Sequence, residues 1–143
     1  MKTKVEIIYS PDMSAKRKYP IFEAKVPAGF PSPAADYEEN KLDLNRHLIK
    51  NPAATYFVRV SGDSMVGASI HHGDLLVVDR SIEPKDKNVV IAVLNGELTV
   101  KRIRIRKGKI TLEAENKNYP AKEINEDMEF EVWGVVTNVV HQL

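Results

Sequence analysis

The chain has 143 residues, a formal net charge of +1 and no cysteine. This length predicts one domain with a modest core. The lack of cysteine excludes disulfides and cysteine-based zinc sites, and the small net charge argues against direct, specific DNA binding. The apolar runs are too short to span a bilayer, and no apolar signal-peptide core follows the first residues. We therefore expect a cytoplasmic protein without a membrane segment.

The first 28 residues form a basic leader, with six Lys or Arg against three acidic residues. Within it, Lys4–Tyr9 is a candidate strand and Pro20–Val26 is a second extended stretch. Three prolines between residues 27 and 33 exclude regular helix and sheet. We therefore expect an arm, residues 1–28, and a body, residues 29–143. Ala28 and Gly29 are small residues in extended backbone, which makes the bond between them a good protease substrate.

The body has a predominantly β pattern. Its only helical period lies between Asp36 and Lys50 and predicts one or two turns over residues 44–50. The fold class is therefore all-β with one short helix. Asn95-Gly96 predicts a hairpin turn, Lys107-Gly108 a weaker one, and Gly134 a bulge or bend. The predicted strands after the helix are Tyr56–Ser61, Asp74–Asp79, Asn88–Leu94, Glu97–Ile105, Lys109–Ala114 and Glu129–Val140.

Ser64 follows the predicted strand that ends at Ser61. Gly62 allows the backbone to bend sharply there. A serine just past such a turn can direct its hydroxyl and neighbouring backbone N–H groups to one point, as a nucleophile and its oxyanion hole require. Ordinary turn residues have the same composition, so the segment by itself leaves both interpretations open.

Lys101 lies on a strand whose alternation groups it with Thr99, Ile103 and Ile105 on the face expected to be inward. Burial of a lysine lowers its pKa and favours the uncharged amine. A neutral lysine can accept the proton of a serine hydroxyl and so act as a general base. The alternative is a lysine that extends its ammonium to the surface.

The histidines offer no comparable pattern. His47 lies in the predicted helix, His71 and His72 lie in a turn, and His141 lies near the C-terminus. None is tied by spacing to Ser64, and adjacent histidines in a polar turn lack the three or four suitably spaced donors of a metal site. Asp74 and Asp79 bracket an apolar strand, which is typical of residues at strand ends. We therefore expect no metal and no cofactor.

Several segments together resemble the self-cleaving serine peptidases of the LexA and UmuD type (S24-like). The similarity is greatest to the UmuD branch, begins at about residue 27 and continues to the C-terminus, whereas residues 1–26 match only loosely. The segments that carry it are Gly29–Tyr37, Asp43–Asn45, Ala54–Val58, Ser61–Met65, Gly73–Asp79, Thr99–Arg102 and Trp133–Val136.

This resemblance implies a catalytic dyad in which Ser64 is the nucleophile and Lys101 the general base. It implies self-cleavage between Ala28 and Gly29, with the backbone amides of Asp63 and Ser64 as the oxyanion hole. Ala28 stands where the best-known UmuD proteins have cysteine, and alanine is usual in LexA-type sites. The implied fold is a β-rich LexA/UmuD-like peptidase body with an extended N-terminal arm.

The resemblance also implies partners. Family members are cytoplasmic homodimers whose cleavage is stimulated by RecA filaments on single-stranded DNA. The trimmed dimer joins a UmuC-type subunit to form DNA polymerase V, which copies past lesions in the SOS response. Replicative polymerase subunits are further candidate partners.

Three other classes of protein are alternatives. A LexA-type repressor body would need a helix-turn-helix ahead of the cleavage site, which 28 residues without a helical period are not expected to supply. A signal peptidase with the same chemistry would need a membrane anchor. A catalytically silent UmuD-like interaction module stays open, because intact motifs do not prove turnover.

Overall fold

The computed structural model of the protein describes residues 2–14, 19–22 and 38–143. Within these ranges the chain is mostly β, with one α-helix, α1, at Leu44–Leu48 and two single-turn 3-10 helices, Pro52–Ala54 and Val66–Ala68. The predicted all-β fold class is confirmed. No helix in the described part is long and apolar enough to cross a bilayer. The strands are β1 Lys4–Tyr9, β2 Tyr19–Phe22, β3 Glu38–Leu42, β4 Thr55–Ser61, β5 Leu75–Asp79, β6 Val89–Leu94, β7 Glu97–Arg106, β8 Lys109–Glu113, β9 Lys122–Glu123 and β10 Phe130–Val140.

The chain divides into two compact units, one formed by Asp12–Lys50 and the other by Met1–Pro11 together with Asn51–Leu143. The smaller unit contains α1 and the antiparallel pair of β2 and β3. Asp43 begins α1, because its side chain accepts hydrogen bonds from the backbone N–H groups of Asn45 and Arg46 and so satisfies donors that a helix start leaves free.

The helical turns predicted over residues 44–50 appear as α1. Upstream of them, Glu38–Leu42 forms β3, which pairs with Tyr19–Phe22. This strand was not predicted, because β2 supplies backbone hydrogen-bond partners that no local pattern shows. Residues 23–37, which hold the rest of the predicted extended stretch and the proline-rich boundary, lie outside the described residues. The division into arm and body stays a prediction.

The larger unit is built on an eight-stranded sheet in the order β1-β4-β5-β10-β6-β7-β8-β9. Every pairing in this sheet is antiparallel. Lys4 of β1 also pairs with Thr99 of β7. Strand β1 therefore touches both β4 and β7, and it completes a ring with β4, β5, β10, β6 and β7.

The predicted turns and bend are present. Asn95 and Gly96 have φ values of 50° and 82°, and Lys107 and Gly108 have 51° and 76°. Two consecutive positive φ values define the type I′ turn that suits the twist of a tight hairpin. The pairing of β10 with β6 shifts register just before Gly134, as a bulge requires.

Buried side chains fill the larger unit in two clusters. The first includes Val58, Val60 and Leu76 and also contains Met65, whose side chain is fully buried. Burying a methionine contributes about 1.5–3 kcal/mol. Because Met65 follows Ser64 directly, the core holds the turn that carries this serine.

Candidate active site

The turn after β4 places Ser64 inside the larger unit, with its side chain fully buried. Gly62 has a φ of 96°, a value that a residue with a Cβ rarely adopts. The backbone N–H of Gly62 donates to Nδ1 of His72 at 3.3 Å, and that of Gly67 donates to the carbonyl of Glu115 at 2.7 Å. The turn is thus held on both sides of Ser64.

Lys101 lies in the middle of β7, opposite Val90 of β6. Only 9% of this residue is exposed, so the inward orientation predicted from strand alternation is confirmed. Its side chain lines a cavity of about 350 Å³, together with Lys2, Thr99 and Tyr119. The burial of this amine is unusual, because lysine is rarely buried without a partner of opposite charge.

Burial lowers the pKa of Lys101 below its ordinary value. The nearby Lys2 ammonium lowers this pKa further, and the Glu97 carboxylate acts in the opposite direction. Lys2 and Glu97 also approach each other, with Nζ and Oε2 3.8 Å apart. The net effect makes the uncharged amine, the form that can accept a proton, available at lower pH.

Thr3 connects the surroundings of these two residues. Its backbone N–H donates to Oγ of Ser64 at 2.8 Å. Its carbonyl accepts from the hydroxyl of Thr99 at 2.8 Å and from the backbone N–H of Val100 at 3.3 Å. Thr99 and Lys101 share one face of β7 and line the same cavity, so Thr3 links Ser64 to the nearest neighbour of Lys101 on that face. Within the described residues, no hydrogen bond joins Ser64 Oγ to Lys101 Nζ.

Asp63 takes part in holding the turn. Its carbonyl accepts from Nδ2 of Asn116 at 3.0 Å, and its carboxylate accepts from the hydroxyl of Tyr119 at 2.7 Å. The oxyanion role of the Asp63 and Ser64 amides stays a prediction. Ala28 and Gly29 lie outside the described residues, so cleavage between them also stays a prediction.

The structure adds neighbours that the sequence did not indicate. His72 contacts the turn through Gly62, although its spacing gave no sign of this. His71 and His141 meet at Asp74, and donor atoms of the three residues lie within 4.8 Å of one another. Only folding brings His141 to this place, because it is far from Asp74 in the chain.

Asp79 is the strand-end residue that the sequence predicts. Its carboxylate accepts hydrogen bonds from the side chains of Asn51 and Ser81 at the end of β5. It also accepts from the backbone N–H of Ser81 at 2.8 Å. These contacts assign Asp79 a structural role at the boundary of the strand.

The model of the Peptidase S24-like family matches residues 20–137. This match covers most of the chain, so the chain belongs to the Peptidase S24-like family of serine peptidases, whose LexA- and UmuD-type members cleave themselves.

Individual relatives refine this assignment. The chain is 48% identical to protein SamA of Salmonella typhimurium over 123 residues, which cover 86% of this chain and 85% of SamA. It is 43% identical to protein MucA of Escherichia coli over 136 residues, or 94% and 92% of the two chains. Identity to LexA repressor 1 of Geobacter sulfurreducens is 37% over 93 residues, which cover 65% of this chain and 45% of the repressor. The chain is therefore a UmuD-type protein of SOS mutagenesis.

Proposed function

We propose that this protein cleaves its own chain between Ala28 and Gly29, with Ser64 as nucleophile and Lys101 as general base. The observation that carries the proposal is the placement of a buried lysine, with lowered pKa, on the strand that shares Thr3 with a buried serine. Membership of the Peptidase S24-like family supports the same chemistry.

The reaction begins when Ser64 Oγ attacks the carbonyl carbon of Ala28. The serine proton passes to the neutral amine of Lys101, and the backbone amides of Asp63 and Ser64 stabilise the oxyanion. The intermediate collapses as the bond to Gly29 breaks and Lys101 returns the proton to the new amino group. This leaves an acyl-enzyme on Ser64 and a chain that begins at Gly29.

Hydrolysis completes the cycle. A water molecule gives a proton to Lys101 and attacks the ester carbonyl of the acyl-enzyme. The second intermediate releases residues 1–28 with a free carboxylate, and the Ser64 hydroxyl regains its proton. Serine and lysine end in their starting states, so cleavage consumes one water and needs no cofactor.

The cell biology follows from the UmuD-type relationship. We propose that RecA filaments on single-stranded DNA stimulate cleavage of a cytoplasmic homodimer. The trimmed dimer then serves as accessory subunit of a translesion polymerase with a UmuC-type catalytic partner, and replicative polymerase subunits are additional partners. Loss of residues 1–28, with their net charge of +3, changes the surface offered to these proteins.

N-terminal sequencing of the purified protein after incubation at alkaline pH tests the chemistry. The expected product begins at Gly29. Ser64→Ala and Lys101→Ala are expected to lower the first-order rate by about 10³-fold or more, because members of a catalytic unit act together. Ser10→Ala and Lys109→Ala, at exposed positions, are matched controls that keep the parent rate. A Gly29 fragment from either dyad variant at the parent rate would refute the assignment.

A second incubation with RecA, nucleotide and single-stranded DNA at neutral pH tests the stimulation. The expected product again begins at Gly29, and omission of the DNA removes the acceleration. The silent interaction module is the alternative, favoured by the complete burial of Ser64 beneath Thr3. An intact chain in both incubations would support that alternative.

A further inference from the structure

The N-terminal strand β1 lies between β4 and β7, in the groove formed by the end of β4 and the start of β7. Ser64 lies beside this groove. The residues of β1 pair with β4 along the length of the strand, from Lys4 opposite Ser61 to Tyr9 opposite Phe57. Oγ of Ser61 donates to the carboxylate of Glu6 at 2.5 Å. This ladder anchors the residues that follow Thr3.

Thr3 reaches Ser64 in an orientation that does not lead to cleavage. Attack on a peptide requires the serine oxygen to approach a carbonyl carbon, whereas Thr3 presents its N–H to that oxygen. The hydrogen bond also occupies an electron pair that the nucleophile would use. The Thr3 carbonyl points instead to Thr99 and Val100 of β7.

We propose that the groove between the end of β4 and the start of β7 is a strand-binding site whose resident ligand is this chain's own residues 2–9. The inference rests on the proposed function, because it concerns access to Ser64. The segment around Ala28 gains access only when Thr3 leaves, so the stability of the docked strand limits the rate of self-cleavage. Residues 2–9 thus act as a competing, uncut occupant of the site.

Strand pairing is a sufficient basis for such binding. Extended peptides commonly bind a sheet edge through main-chain hydrogen bonds. The contacts of Thr3 add two further main-chain groups, both satisfied inside the larger unit. A variant that loses one hydrogen bond between β1 and the body is expected to raise the undocked population about three- to tenfold.

Two substitutions in the full chain test the proposal. Thr3→Pro removes the N–H that binds Ser64, and Glu6→Ala removes the acceptor for Ser61. Each is expected to accelerate self-cleavage about three- to tenfold at a pH where Lys101 is already uncharged in parent and variants. Ser10→Ala, just beyond the end of β1, is the matched control and keeps the parent rate. Unchanged or slower cleavage in both Thr3→Pro and Glu6→Ala would overturn the proposal.

Hydrogen exchange at neutral pH provides a readout that does not depend on cleavage. The amides of β1 that donate to β4 are expected to be protected in the parent and to exchange faster in both variants, while the amides of β6 keep their protection. A parent that never cleaves but protects β1 would refute the proposed function and leave the strand docked. Unprotected β1 amides in the parent would refute the docking itself.

A separate observation carries a second inference, at the cluster of His71, Asp74 and His141. The Asp74 side chain is 2% exposed, and its Oδ2 accepts from the backbone N–H of His71 at 2.8 Å. Nδ1 of His141 lies 2.6 Å from Asp74 Oδ1. The side chains of His71 and His141 are about half exposed, at 50% and 47%. Two half-exposed imidazoles therefore converge on one buried carboxylate that is fixed by hydrogen bonds.

We propose that these three residues bind a divalent transition metal of the zinc class. Two nitrogen donors and one carboxylate oxygen, with water as fourth ligand, form a common zinc set. The ion would join the end of β10 to the turn before β5. That turn also contains His72, whose ring accepts the N–H of Gly62 near the proposed nucleophile.

Metal titration of the Ser64→Ala chain tests this site without interference from self-cleavage. Zn²⁺ is expected to raise the melting temperature, and Co²⁺ to give the visible absorption of a tetrahedral site. His141→Ala and His71→Ala are expected to lose both responses, whereas His47→Ala, outside the cluster, keeps them. A chain that shows neither response, or cluster variants that respond like the parent, would exclude the site.

Discussion

Gly134 occupies a place in β10 where a side chain does not fit. A Cβ built on this residue would lie 2.5 Å from Cγ1 of Val78 and 3.3 Å from Cγ of Arg80. Favourable carbon contacts need about 3.5–4.0 Å, so a methyl group at this position forces a displacement of roughly 1 Å. Val78 is fully buried in the first core cluster and has little room to move.

Gly134→Ala is therefore expected to destabilise the protein by about 1–3 kcal/mol, the usual cost of overpacking a core. For a chain of this size, that loss lowers the melting temperature by about 3–12 °C. Thermal unfolding followed by circular dichroism, in the Ser64→Ala background, measures the change. Gly108→Ala removes another glycine, but one with no atom within 4 Å of its added Cβ and a φ of +76°; its backbone strain thus provides a comparison without a clash.

A double-mutant cycle separates the clash from other effects of the methyl group. Val78→Ala removes Cγ1 and itself costs about 1–3 kcal/mol through lost packing. With the clashing atom gone, Gly134→Ala should add little further destabilisation, so the double variant lies at least about 1 kcal/mol above the additive expectation. Additivity of the two losses would show that the steric argument is wrong.

Three further changes test the electrostatics and the turns. Lys101→Met is expected to abolish self-cleavage and to raise the melting temperature. Because folding lowers the Lys101 pKa, the rise in melting temperature over the parent is largest below the folded-state pKa and disappears as the pH approaches the ordinary lysine pKa. An equal rise at all pH values would contradict this. Lys2→Gln removes a charge that lowers the Lys101 pKa, so the pH–rate profile of self-cleavage is expected to move to higher pH. Lys4→Gln removes the same charge elsewhere and is the control. Identical profiles for the parent and both variants would exclude an effect of Lys2 on Lys101. Lys107→Val puts a β-branched residue at a φ of 51° and costs about 1–3 kcal/mol, whereas Lys109→Val, within β8, does not; equal melting temperatures would refute the strain.

Much of the larger unit follows from local patterns. Alternating residues predict the strands, and their register places Lys101 on a buried face because side chains on a strand point to opposite sides in turn. Asn95-Gly96 and, more weakly, Lys107-Gly108 predict hairpins because glycine and asparagine adopt positive φ at little cost. Gly134 is recognisable as a bend, although only the structure shows that Val78 is what excludes a side chain there.

The remaining features depend on contacts between distant residues. Strand β3 forms because it pairs with Tyr19–Phe22. The residue pattern within Glu38–Leu42 does not predict this partner. The hydrogen bond from Thr3 to Ser64 joins residues 61 positions apart. Nothing in the sequence around either residue indicates that the two are in contact. Sequence patterns thus indicate which chemistry is available, but not which segment occupies the groove beside Ser64.

The ring of strands in the larger unit contains one member that the proposed self-cleavage would release. Strand β1 closes the seam between β4 and β7, and a cut after residue 28 would separate it from the rest of the polypeptide. Once β1 diffuses away, two bare borders face each other across the seam, and unpaired borders of this kind readily recruit a foreign strand. The cleavage in which the protein is its own substrate would thereby leave an open strand position that another protein can occupy.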